Sequence, residues 1–191
     1  MAPGPPVGED GRVLYAFGFE RVGVVLGDLY FVDPAPTAGQ EGAERGVRLE
    51  VRLLERPPPP GSVYASQPIE IARPIWRADL LEGVDGSPGS FDRTHHHPRM
   101  RGWEPLSRTF DDAMSADPVG WVGERLADLD GLLAGAEIDP AEVDPGDAAA
   151  LRDTVPEILD ALRRLLARVH AGELAAGPDG SPTGPARAGW L

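Results

Sequence analysis

Up to residue 82 the apolar side chains of this chain tend to recur at every second position; from residue 117 they recur at every third or fourth. A side-chain period of two belongs to a strand lying between core and surface. A period near 3.6 belongs to a helix with one buried stripe. A chain whose period switches once keeps its strands apart from its helices. It therefore predicts an α+β fold: a small antiparallel sheet of about five to seven strands, closed as a barrel or sandwich, followed by a C-terminal helical hairpin.

The strand half reads as follows. In 13–19, Val13, Tyr15, Phe17 and Phe19 share one face. In 22–32, Gly27-Asp28 divides two β-rich runs and suits a two-residue hairpin turn. Residues 46–56 alternate most clearly. Val47, Leu49, Val51 and Leu53 point to a core, and Arg48, Glu50 and Arg52 point to water. Residues 63–72 and 75–81 give two further strand pieces, with Pro74 marking a bulge or an edge. The run Pro57–Pro60 is a stiff loop.

The helical half opens at Asp117-Pro118, an N-cap followed by Pro at the first helical position. Val119, Val122, Leu126, Leu129 and Leu133 form one stripe, and Val155, Ile158, Leu159, Leu162, Leu165, Leu166 and Val169 form another. Pro156 is expected to break or restart the second helix. Gly172 suits its C-terminal cap. The organisation expected is an N-terminal arm (1–11), one α+β domain (12–174) and a Gly/Pro-rich tail (175–191). Within the domain, 12–82 is β-rich, 83–116 is an Arg/His loop and 117–174 is helical.

Composition narrows the chemistry. Cys is absent, which excludes thiol catalysis, disulfides and thiolate metal sites. Every one of the 18 cationic residues is Arg, so Schiff-base lysines and Walker-type phosphate loops are excluded as well. Asn is also missing, and the Ala/Gly/Pro/Arg/Asp bias resembles that of GC-rich, actinobacterial-type coding sequences. A net charge of −13 argues against nucleic acid and membrane surfaces as partners, both being polyanionic. The N-terminal residues show no basic region leading into an apolar run, and a cytoplasmic protein is expected.

The charge is uneven. Residues 111–160 hold 14 Asp/Glu against two Arg, whereas residues 93–108 hold four Arg and three His against Glu104 alone. The segment 91–105, FDRTHHHPRMRGWEP, is the densest cluster of reactive side chains. Two functions follow. In the first, the loop 92–108 presents Arg93, His96, Arg99, Arg101, Trp103 and Arg108 to an acidic protein partner or a small anion, since Arg offers a planar fork and Trp a stacking surface. In the second, His95 and His97, on one face of an extended chain, hold a divalent metal together with Asp92 or Glu104, or with Glu70 or Asp79 from the sheet. That gives the two-imidazole, one-carboxylate set of hydrolytic or oxygen-dependent enzymes.

Gly89, five residues, His95, one residue and His97 resemble the first motif of the cupin family. The resemblance implies that this His spacing is one that metal sites use. Departures follow immediately: residues 98–103 separate His97 from Glu104, and the downstream motif would need an Asn that this chain lacks.

Overall fold

The computed structural model describes residues 13–36 and 38–175. The expected arm 1–11 lies outside these, as does the expected tail apart from Ala175. Strands β1 (Leu14–Gly18), β2 (Val22–Val32), β3 (Ala43–Glu55), β4 (Glu70–Gly83) and β5 (His95–His97) form one antiparallel sheet in sequence order. Strands β6 (Met100–Arg101) and β7 (Glu104–Pro105) form a second, two-stranded sheet. Helices α1 (Asp112–Ala116), α2 (Pro118–Ala127), α3 (Leu129–Ala136) and α4 (Asp147–His170) follow, with a 3-10 turn at Pro140–Glu142. The α+β order expected from the change of period is thus present. The large sheet is open: its order leaves β1 and β5 at the ends.

One face of the sheet is apolar, and its register explains why. Leu26 lies opposite Leu49, Val24 opposite Val51, Leu49 opposite Ala78 and Val47 opposite Leu80. All are buried, and they form one cluster with Val122 and Leu126 of α2 and with Leu151, Ile158, Leu162, Leu165 and Val169 of α4. Burying such a face is the main stabilising term, at about 1.5–3 kcal/mol per large side chain.

Several local expectations need correcting. Gly27-Asp28 is not a turn. It sits inside β2, with Gly27 paired to Leu14 on one side and Arg48 on the other. The hairpin turns at 19–21 instead, closed by the Phe19 N–H donating to Val22 O at 2.8 Å. The buried Asp147 carboxylate, 127 residues away from Glu20 in sequence, accepts the Glu20 and Arg21 N–H groups there. No local pattern could show that partner. Asp28 ties two distant segments together instead of turning the chain. Its carboxylate accepts the N–H of Val13 and the N–H of Ala175, each at 3.1 Å.

Residues 63–69 are not strand. Val63 and Tyr64 are almost fully exposed, and β4 begins at Glu70. Pro74 does mark a bulge: it pairs with Arg52 where the β3–β4 register slips. Helix α4 runs unbroken through Pro156. Proline inside a helix costs about 3 kcal/mol, and the eight buried side chains along α4 outweigh it. The helix ends as expected. Gly172 has φ +73° and donates to Val169 O, and Glu173 donates to Arg168 O, which together satisfy the last carbonyls.

The other face of the sheet is not wet. Glu50 and Arg52 are buried against each other at 2.5 Å, and Arg48 keeps only 16% of its side chain in water. Arg52 also lies 5.2 Å from the centre of the Trp103 ring. The chain after β4 makes the difference, because it folds back on this side.

Candidate metal centre

Three polar pairs, each two residues apart, build the site. Arg48 and Glu50 on β3, Arg77 and Asp79 on β4, and His95 and His97 on β5 all project from one sheet face. The register aligns them: Arg48 lies opposite Asp79, Asp79 opposite His95, and Arg77 opposite His97. Strand β5 is short, but it is held on both sides. The buried Thr94 hydroxyl accepts from Leu81 N–H at 3.0 Å and donates to Leu81 O at 3.1 Å. The His96 backbone exchanges two 2.9 Å hydrogen bonds with Thr109. Pro98 then ends the strand, having no N–H to give.

The two imidazoles are oriented by the backbone. His95 Nδ1 lies 2.7 Å from Arg93 O, and His97 Nδ1 lies 2.6 Å from Ser107 O. A carbonyl oxygen only accepts, so each Nδ1 carries a hydrogen, and each ring in its neutral form presents an Nε2 lone pair. Both Nε2 atoms lie 3.5 Å from Asp79 Oδ2. Three donor atoms from Asp79, His95 and His97, all buried, thus lie within 4.8 Å of one another. Two ligands at about 2.1 Å from one ion, at a tetrahedral angle, would be about 3.4 Å apart. The spacing is long for a hydrogen bond and right for two ligands of one ion.

Asp79 is 1% exposed and fully engaged. Arg48 Nε donates to Oδ1 at 2.7 Å and Arg48 Nη2 to Oδ2 at 3.2 Å. Burial alone would push the Asp79 pKa up. Arg48 and Arg77 hold it well below the usual carboxylate range. Burial lowers the pKa of His97 against the pull of Asp79, with the Arg77 charge adding to the effect, so the ring stays neutral and able to act as a ligand. Glu50 and Asp79 stand against Arg48, Arg52 and Arg77 on this face, and burial raises the pKa of the nearby Glu44.

Three of the four expected carboxylates fall elsewhere. Asp92 lies in a turn, where it accepts from Gly83 N–H and Ser90 Oγ and pairs with Arg93 at 3.3 Å. Glu104 is exposed on β7, opposite Arg101. Glu70 is exposed at the start of β4. Of the acids considered with His95 and His97, Asp79 is the one brought to both rings. Arg48 and Arg77 join the site without having been expected there. Their signal is the repeated i, i+2 polar spacing on three strands, which on a sheet stacks such pairs on one face.

The Arg/His loop is not one surface. Arg93 donates to Gly39 O, Arg99 pairs with Glu137 at 2.7 Å, and Arg108 bonds Gln40 Oε1 at 2.8 Å. Arg101 is exposed, and Trp103 is about half exposed beside Arg52. His96 points to the opposite side of the sheet from its neighbours. Its ring centre lies 4.9 Å from that of Trp121 and 6.3 Å from that of Trp76. Burial, with the charge of Arg125, lowers its pKa to about 4. The folded state therefore resists a proton that the unfolded chain accepts below about pH 6.5. Stability should be complete above pH 6.5 and fall toward pH 4, by about 2 kcal/mol once solvent screening of this partly exposed ring is allowed for. Urea midpoints at pH 7.5 and pH 5 should show the drop in the wild type and a smaller one in His96→Phe. Equal drops would show that other groups cause it.

Among the described residues, no helix is long and apolar enough to cross a membrane. Compared with known protein families, with curated proteins and with solved structures, the chain matches none.

Proposed function

We propose that this protein binds a divalent transition-metal ion through Asp79 Oδ2, His95 Nε2 and His97 Nε2, and that the positions these ligands leave open serve hydrolytic or oxygen-dependent chemistry. One observation carries the reading: both rings are pinned through Nδ1, so both Nε2 atoms stand 3.5 Å from one carboxylate oxygen, His97 Nε2 also accepting from Arg77. Lone pairs and a carboxylate facing one another repel, and a cation between them turns that repulsion into ligation. Anchoring of Nδ1 by a carbonyl is the usual outer support of a metal-bound His. Two imidazoles and a carboxylate suit Zn(II), Fe(II) or Mn(II) with open positions. The other reading, a basic loop offered to an acidic partner, has less support, because Arg93, Arg99 and Arg108 all hold partners within the chain.

Elemental analysis of untagged protein should find one transition-metal ion per chain. Added at a hundred times its Kd, Zn(II) should stabilise the metal-free protein by about 2.7 kcal/mol, a rise in Tm of roughly 5–10 °C. The rise should vanish in His95→Ala and in His97→Ala. No bound metal together with no thermal shift would end the proposal.

A further inference from the structure

Arg77 is the least satisfied cation of the cluster. Its Nε lies 3.2 Å from Asp79 Oδ2, but the N–H does not aim at that oxygen, and this buried Nε has no hydrogen-bond partner among the described residues. Glu50 lies opposite it in the register, yet Glu50 is taken up by Arg52 at 2.8 and 2.5 Å. The hydrogen bond that Arg77 does make, among the described residues, is from Nη2 to His97 Nε2, at 2.9 Å. That lone pair is the one a metal ion would take.

Metal binding therefore has a second consequence, which rests on the metal reading above. It removes the acceptor of Arg77 and leaves a guanidinium beside His97 with several donors to place. Arg77 and Arg48 keep 13% and 16% of their side chains in water, whereas His95, His97 and Asp79 keep 5% or less, so an incoming solute meets the guanidiniums first. We infer that the loaded site takes a small oxyanion, a phosphate or carboxylate group, with one oxygen on the metal and another on the Arg77 guanidinium. Guanidinium and metal are the two groups that hold such anions best, and Arg does so through paired, directed hydrogen bonds. Replacing Arg77 also removes a competitor for His97 Nε2, so metal affinity should hold or improve without it.

Co(II) is the probe, because its visible absorption reports its ligands. In a buffer free of oxyanions, wild-type protein loaded with one Co(II) should change its visible spectrum when inorganic phosphate is added, and separately when acetate is added. Each titration should saturate. Arg77→Gln should bind Co(II) at least as tightly as the wild type, while its affinity for either anion falls about tenfold or more. If Arg77→Gln does not fold, as judged by circular dichroism, Arg77→Lys carries the test: it keeps the charge but loses the fork, and anion affinity should still fall. Failure of the wild type to bind Co(II) would remove the metal reading itself. Co(II) binding with a spectrum indifferent to both anions would leave the metal and overturn the anion. Unchanged anion affinity in the folded Arg77 variant would overturn the role given to Arg77.

Discussion

Asp79→Asn should cost the metal-free protein about 3–5 kcal/mol, enough to consume much of the 5–15 kcal/mol typical of a domain. The carboxylate is 1% exposed and holds Arg48 through two hydrogen bonds, with Arg77 Nε at 3.2 Å. Asn keeps the shape and removes the charge, so both guanidiniums lose their nearest counter-ion while staying mostly out of water. Losing one member of a buried ion pair is costly for that reason, whereas replacing the whole pair by apolar groups of like size costs far less. Arg48→Met with Asp79→Leu should therefore lose less than the two single variants added together. Urea denaturation measures both, and an unchanged m-value would show that the unfolded state is the same. A loss below about 1 kcal/mol for Asp79→Asn would mean that the carboxylate is not what keeps these cations in place.

The second large effect is expected at Gly46, on β3 opposite Leu81. A methyl group there would overlap the Leu80 carbonyl oxygen and stand 2.9 Å from the carbonyl carbon. Both atoms are backbone, held within the β3–β4 ladder, so neither can rotate away. Gly46→Ala should cost about 3 kcal/mol or more, because relief requires β4 to shift, and β4 carries Arg77 and Asp79. Gly39→Ala is the control. Gly39 has φ +83° with nothing within 4 Å of an added methyl, so it bears conformational strain without a clash. About 1 kcal/mol is expected there. Equal losses at the two positions would show that the approach of Leu80 is not what demands glycine at Gly46.

Sequence alone is legible wherever a local rule is enough. The alternation of Val47, Leu49 and Val51 announces the apolar side of β3, and Asp117 caps α2 with its side chain on Gly120 N–H. Gly172 closes α4 in the left-handed conformation. Legibility ends where distant residues decide. Gly27-Asp28 has the makings of a turn, but pairing on both sides of β2 keeps it extended. Pro156 has the makings of a break, but α4 is held by its buried stripe. The site shows the same division. His95 and His97 are visible as an i, i+2 pair. Asp79 becomes their partner only through the register of a three-residue strand, with residues 84–94 between it and β4. The alternation of Arg48, Glu50 and Arg52 points them to water, because it tells two faces apart without saying what will cover the polar one.

Asp28 has a consequence for how force would travel through the molecule. One carboxylate holds the N–H groups of Val13 and Ala175, so two positions far apart in sequence meet at a single side chain. The fold is a mechanical loop closed by two hydrogen bonds. A pull between Val13 and Ala175 meets that clasp first. The ladders of β3 with β4 and of β4 with β5, which set the three donor atoms in place, lie further along the load path.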